Sequence, residues 1–196
     1  NVEAISEADL IMLVVKPWQI DGLLTEIAPA VDVNRHVLVS CVTGVTSGHI
    51  FSQLGKQATL FRVMPNTGVA VEESMSCISA FNETKEQREA INTIFSQLGR
   101  VIFIPEEHMP AATALAGCGI AFALRFIRAA IQAGVEIGFS AEEAKLMAAQ
   151  ITKGAAELIL HNNSHPEAEI DKVTTPKGIT ITGLNEMEHA GFSSSI

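Results

Sequence analysis

The first 105 residues alternate short apolar runs with segments of helical pattern, and this alternation constrains the fold more than any other feature. The runs that read as strands, rich in Val, Ile and Phe, are LIMLVV (10–15), VLVSCV (37–42), TLFRVM (59–64), SCISAF (76–81) and VIFI (101–104). Helical candidates lie between them at roughly 18–30, 46–54 and 84–98. The first two strands are apolar almost throughout, which is typical of strands covered on both faces. The alternation predicts βαβ units and a parallel sheet with right-handed crossovers.

The rest of the chain contains no convincing strand and predicts an all-helical domain. We therefore expect two domains, residues 1–106 and 107–196. A predicted helix over 111–133 ends at Gly134, and the capping box SAEE (140–143) begins another.

The helix 111–133 carries only Arg125 and Arg128 as charges, and a helix that is apolar nearly all round should be buried. Few segments of the chain remain to surround it, so we expect a second subunit to cover it, in a homodimer or higher homo-oligomer. The small residues that would allow close helix contact are Ala112, Ala116, Gly119 and Ala123. An ordinary core helix of a monomer is the alternative.

Composition argues against several classes of partner. The net charge is −9 with no basic run, which argues against a nucleic-acid surface. The weakly charged stretch 109–124 is shorter than a bilayer requires, and the acidic N-terminal segment does not resemble a signal peptide. Three widely spaced cysteines and six histidines show no metal-ligand spacing. We expect a soluble, reduced, cytoplasmic protein without a metal site.

Polar and turn-forming residues follow the first three strands. Lys16-Pro17 follows the first, Thr43-Gly44 the second and PNTG (65–68) the third. Turns alone would account for any one of these exits. Because ligands bind beyond the carboxyl ends of strands in open parallel sheets, the three exits together favour a ligand crevice.

The phosphate-binding pattern Gly-x-Gly-x-x-Gly is absent from the 196 residues. Either the protein binds no dinucleotide, or its first βαβ unit precedes Asn1.

Four stretches resemble the Δ1-pyrroline-5-carboxylate reductase family of proline biosynthesis: LVVKP (13–17), VSCVTGVT (39–46), RVMPNTGVAVEE (62–73) and VTTPKGITITGLNEMEHAGF (173–192). They occur in the family's order and, with the helical segment between them, cover essentially the whole chain. The resemblance implies an α/β Rossmann-like parallel sheet, incomplete at its N-terminal part, followed by an all-α C-terminal dimerisation domain. The family's glycine-rich turn would then precede Asn1.

The resemblance also implies a nicotinamide cofactor, NADPH or NADH. Asn1 falls on an asparagine near the adenosine ribose. The other positions that would contact the cofactor are Val14, Val15, Lys16, Pro17, Cys41, Val42, Thr43, Asn66 and Thr67.

The stretch TTPKGIT (174–180) is where the resemblance places the substrate. Thr180 falls on the hydroxyl that bonds the ring nitrogen, and we assign it the catalytic role. The other positions implied at the substrate are Thr175, Pro176, Gly178, Ile179 and Glu106. A small imino acid offers one carboxylate and one nitrogen, which suit backbone donors at a helix N-terminus and a short hydroxyl. Thr-Pro-x-Gly is also good helix-capping chemistry, so an ordinary cap is the alternative.

Several positions depart from the family pattern. Lys177 stands where the family usually has a second glycine, and Ile179 where it has a small residue or threonine. AGCGIA (116–121) replaces SGSGPA, and Lys172 replaces an asparagine that contacts the cofactor in some members.

The expected activity is hydride transfer from NAD(P)H to the C=N bond of 1-pyrroline-5-carboxylate, giving L-proline. A related Rossmann-type reductase acting on another small acid would need a lysine in the long helix, and residues 111–133 contain none. A non-catalytic paralogue or oligomerisation module is the other alternative.

Overall fold

A five-stranded sheet forms the first half of the molecule. The computed structural model describes residues 1–196, and its strands are β1 (Leu10–Leu13), β2 (Val37–Ser40), β3 (Thr59–Met64), β4 (Ser74–Phe81) and β5 (Gly99–Phe103). They lie side by side in chain order. The pairs β1–β2, β2–β3 and β4–β5 are parallel, and β3–β4 is antiparallel.

The antiparallel pair differs from the parallel sheet that the alternation predicts. Only a short 3₁₀ turn, Thr67–Val71, lies between β3 and β4. A connection of this length cannot return the chain to the start of the sheet, because a parallel crossover needs a dozen or more residues. The predicted fold class is otherwise confirmed, as a mostly parallel sheet followed by a helical region.

Nine α-helices precede, connect and follow the strands. They are α1 (Val2–Ile5), α2 (Ile20–Ile27), α3 (Ser47–Leu54), α4 (Lys85–Ser96), α5 (Met109–Ala112), α6 (Gly119–Glu136), α7 (Ala141–Asn162), α8 (Pro166–Val173) and α9 (Ile179–His189). The capping box predicted at residues 140–143 is present, with the Ser140 side chain accepting from the Glu143 N–H.

The core of the sheet lies on its middle strands. All six residues of β3 are buried, as are the last three of β2. Within residues 1–196 β1 is covered on one face only, because Ile11 and Leu13 are buried while Met12 and its neighbour Val14 are 47% and 67% exposed. The prediction of a strand covered on both faces is therefore not met for β1 within these residues.

The chain separates into two compact units, Asn1–Leu124 and Arg125–Ile196. The domain boundary between residues 106 and 107 stays a prediction. Within the second unit α6 and α7 approach closely, since a Cβ on Gly134 would lie 2.8 Å from the Cβ of Ala144. Phe126 and Phe192 meet edge to face, with ring centroids 6.4 Å apart.

A long helical stretch joins α5 to α6 through a π-turn, Thr113–Gly117. None of the residues of α6 is buried within the chain, although the helix is apolar. By length and composition alone, the stretch Glu106–Glu136 is the one helix here that could cross a membrane. A helix that packs against another subunit has the same length and apolar composition, and packing of this kind is what the sequence predicts for this helix.

Candidate active site

The exits of β1, β2 and β3 meet at one edge of the sheet. The three strands are parallel and in register, with Leu13 beside Ser40 and Ser40 beside Arg62. Their carboxyl ends therefore lie together, as the sequence predicts for a ligand crevice.

A cavity of about 670 Å³ lies beyond β2 and β3. Three residues expected at the cofactor, Cys41, Val42 and Thr43, line it together with Glu106. Burial raises the pKa of the Cys41 thiol, so the group stays protonated and suits an apolar wall rather than a nucleophile.

The remaining cofactor positions are distributed around this edge. Asn1, Val14 and Val15 line a second cavity, of about 550 Å³, along β1. The Asn1 side chain donates to Glu26 Oε2 at 2.8 Å. Lys16 and Pro17 are exposed at the end of β1 and line neither cavity.

Asn66 lies after β3, and its side chain is occupied by the protein itself. Its Nδ2 donates to the Ala116 carbonyl at 3.0 Å, and its Oδ1 accepts from the Gly68 N–H at 2.9 Å. The first bond satisfies a carbonyl of the π-turn. Asn66 thus fixes the exit of β3 and leaves the adjacent Thr67 exposed.

Glu106 joins two segments that are distant in sequence. Its Oε1 accepts from the Ser47 N–H at 2.7 Å, and its Oε2 accepts from the Ser47 hydroxyl at 2.6 Å. The guanidinium of Arg62 also donates to Oε1. Burial raises the pKa of Glu106, but the hydrogen bonds from Ser47 and Arg62 outweigh it, and the pKa lies below its ordinary value of 4.5.

This lowered pKa predicts a pH dependence. A group whose pKa is depressed by folding stabilises the native state above its unfolded pKa and loses that contribution as the pH falls through the folded pKa. We expect Glu106→Gln to lower the unfolding free energy at pH 7, and the difference from the parent protein to shrink below about pH 4.5. Urea titrations of both proteins between pH 3 and pH 7 measure it. A difference that is constant with pH would contradict the ionised pair.

The turn expected to hold the substrate lies in the second unit, between α8 and α9. The Gly178 N–H donates to the Thr175 carbonyl at 2.9 Å, and a Cβ on Gly178 would lie 2.5 Å from the Thr175 hydroxyl oxygen. A side chain at this position would force the Thr175 hydroxyl to move. Gly178 is the N-cap of α9, and no side chain caps that helix.

The start of α9 is therefore open. The N–H groups of its first turn have no side-chain acceptor, and they point out of the helix end. Ile179 is 92% exposed, and Thr180 is exposed with no hydrogen bond from its side chain. The turn thus presents free donors and a free hydroxyl, which are the groups a small imino acid needs.

Lys177 occupies a left-handed backbone conformation in this turn, with φ of +61°. This backbone conformation explains why the family pattern has glycine where this chain has Lys177, because any other side chain in the left-handed region costs about 1 kcal/mol of folding free energy. We expect Lys177→Gly to raise the melting temperature by about 2–4 °C. Lys177→Ala keeps the left-handed strain and should give no such rise in a calorimetric scan, whereas an equal rise in both variants would contradict the explanation.

Sequence reasoning missed Arg62 and Ser47 as members of the site. One signal was available, since Arg62 is a charge in the middle of the otherwise apolar strand TLFRVM, and a buried charge needs a partner. Nothing in the sequence indicated that Ser47 would donate hydrogen bonds to Glu106, the carboxylate that pairs with Arg62.

The mostly parallel sheet, the crevice at its carboxyl ends and the helical region that follows define a protein of the Rossmann-like class. Residues 106–196 match a family model described as pyrroline-5-carboxylate reductase dimerisation. The chain is 47% identical to pyrroline-5-carboxylate reductase 1 of Dictyostelium discoideum and 44% identical to reductase 2 of that organism. All of the chain is covered in both cases, and it spans 38% and 70% of the two relatives.

A solved structure gives the same result. The Plasmodium falciparum pyrroline carboxylate reductase, crystallised with NADP bound, superposes with a TM-score of 0.91 at 31% identity. The alignment covers 100% of this chain and 74% of that one. The chain belongs to the pyrroline-5-carboxylate reductase family, and the resemblance drawn from its motifs is confirmed.

Proposed function

We propose that the protein reduces 1-pyrroline-5-carboxylate to L-proline with NADPH or NADH. The observation that carries this proposal is the uncapped start of α9, with Gly178 at the N-cap and the free Thr180 hydroxyl in the first turn. Backbone donors and the helix dipole favour the substrate carboxylate there. In the balanced reaction a hydride adds to the C=N carbon, a proton adds to nitrogen, and the cofactor leaves oxidised.

One set of residues would contact the cofactor, and another set would contact the substrate. Cys41, Val42 and Thr43 would form a wall for the cofactor, whose reduced nicotinamide supplies the hydride when bound. The cavity lining is uncharged at these three positions, which suits a nicotinamide ring. The other expected cofactor contacts are Asn1, Val14, Val15, Lys16, Pro17, Asn66 and Thr67.

The turn residues Thr175, Pro176, Gly178 and Ile179 would hold the substrate carboxylate, and Thr180 would orient the ring nitrogen. A protonated iminium is already electrophilic, so the protein needs no strong general acid, and solvent can supply protons. Catalysis then rests on positioning.

The direct test is oxidation of NADPH and of NADH by this chain and by the product of the complete gene, with and without 1-pyrroline-5-carboxylate. We expect the complete protein to oxidise the cofactor only when 1-pyrroline-5-carboxylate is present. No oxidation with either cofactor by a folded complete protein would overturn the proposal and favour a non-catalytic paralogue.

We further propose a homo-oligomer in which another subunit covers the apolar surface of the helical region. Phe122, in α6, is 56% exposed within the chain. Phe122→Glu should weaken self-association by about 30-fold or more, because an unpaired charge in an apolar interface costs at least about 2 kcal/mol. Sedimentation velocity measures the change.

Ile94→Glu is the matched control, since Ile94 lies on α4 and is 42% exposed. It should leave association unchanged. Equal association of the Phe122→Glu variant and the parent protein would contradict this interface.

We expect the protein to act in the cytoplasm, consistent with three free cysteines and an acidic surface.

A further inference from the structure

One carboxylate connects three segments of the first unit. Glu106 follows β5, Arg62 lies within β3, and Ser47 is the first residue of α3. Ser47 and Arg62 are 59 and 44 positions away from Glu106 in sequence. The Arg62 side chain is only 7% exposed, so its charge depends on this partner.

Both Glu106 oxygens are already engaged by these two partners. Ser47 supplies a main-chain N–H and a hydroxyl, and Arg62 supplies a guanidinium N–H. The carboxylate also lies at the N-terminus of α3, where a negative charge is favourable. The strongest interactions of Glu106 are therefore with the protein, which fits a structural anchor better than direct substrate binding.

The segment that this anchor holds is the loop 41–46 between β2 and α3. The loop is fixed at its beginning, where the Cys41 N–H donates to the Leu13 carbonyl at 3.0 Å. The N–H groups of residues 43–46 donate to no other residue, and Gly44 has a positive φ of 79°. At its end Thr46 caps α3, its side chain accepting from the His49 N–H at 3.2 Å, and the next N–H along the chain, that of Ser47, donates to Glu106 at 2.7 Å.

We propose that Glu106 is a positioning residue for the cofactor wall, acting through Ser47 with its own place fixed by Arg62. This inference rests on the proposed function, because it assumes that Thr43 and its neighbours contact the cofactor. Losing the Glu106 bonds removes one of the contacts that hold the end of the loop, beside the Thr46 cap, and loosens this wall. The penalty then falls on cofactor binding more than on the chemical step.

The first test measures the loop itself by amide hydrogen exchange in the complete protein without cofactor. Glu106→Gln should raise exchange at the Ser47 amide by on the order of ten-fold, the scale of losing a hydrogen bond to a charged group. Ser47→Ala removes only the hydroxyl bond and should give a smaller rise at the same amide. Unchanged exchange in both variants would overturn the proposal, whatever the activity of the protein.

The matched control is Glu83→Gln. Glu83 pairs with Arg88 at 3.0 Å in the same unit, and its side chain is 22% exposed, against 26% for Glu106. This variant loses an ion pair outside the crevice whose carboxylate is similarly exposed. It should leave exchange at the Ser47 amide unchanged, and an equal rise there would mean a general loosening and overturn a specific anchor.

The second test separates KM from kcat. Glu106→Gln should raise the KM for NADPH by about five-fold or more with a smaller change in kcat, the pattern of lost uniform binding. A rise confined to the KM for the imine would instead mean direct substrate contact and overturn the positioning role. Absence of activity in every protein, parent included, would refute the proposed function while leaving the exchange result intact.

Discussion

Replacing Thr180 with alanine should lower kcat/KM for 1-pyrroline-5-carboxylate by about 10- to 100-fold. A hydrogen bond to a charged group contributes about 1.5–3 kcal/mol, and each 1.4 kcal/mol is a factor of ten. Thr180 is exposed in the first turn of α9 and its side chain bonds to nothing within the chain, so the fold should be unaffected. Steady-state kinetics with both substrates varied measure the effect.

Two variants control this experiment. Thr180→Ser keeps the hydroxyl and should retain most of the activity. Thr182→Ala removes a hydroxyl two positions further along α9 that bonds the Gly178 carbonyl at 3.4 Å, and it should have little effect. Unchanged kinetics in Thr180→Ala, with circular dichroism matching the parent, would refute its catalytic assignment.

Replacing Gly99 with alanine should destabilise the protein by more than about 3 kcal/mol, as expected when a large steric overlap meets a strained backbone. Gly99 begins β5 with φ of +133°, a conformation that L-residues rarely adopt. A Cβ there would overlap the main-chain nitrogen and carbonyl oxygen of Ser74, its partner at the start of the β4–β5 ladder. Neither strand can move away without breaking that ladder.

The midpoint of urea unfolding measures this loss. Gly48→Ala is the control, because Gly48 lies within α3, has nothing within 4 Å of an added Cβ and has no positive φ. The control should be neutral or stabilising by up to about 1 kcal/mol. A Gly99→Ala midpoint equal to that of the parent protein would mean that the β4–β5 register differs from the one described.

Local signals predicted the elements well where their cause is local. The strand TLFRVM occupies Thr59–Met64 as predicted, because a run of β-branched and apolar residues needs little context. The helix after SAEE begins at Ala141, because its capping box is formed by residues three positions apart. The apolar run 10–15 was less reliable, since its strand ends at Leu13 and Val14 is exposed.

The candidate site divides in the same way. The turn 174–180 was predicted as the substrate turn from the family resemblance, since its residues alone are equally good cap chemistry. The structure has an uncapped helix start there, and the substrate role stays a prediction. Cys41 and Glu106 were both expected near ligands, and the structure brings them to one cavity. Their partners were not predicted, since hydrogen bonds across 44 and 59 positions depend on the path of the chain.

By itself the sequence determined the succession of strands and helices, the glycine turn before α9 and the family to which the chain belongs, because these follow from short-range patterns of residue type. Only the tertiary structure decided that β4 runs antiparallel to β3, that Glu106 is held by Arg62 and Ser47, and that α6 is left without a cover in its own chain. The physical reason is that strand pairing and burial depend on which distant segments meet in the folded chain. Residue type determines only whether a segment forms a strand or a helix and which of its groups need a partner.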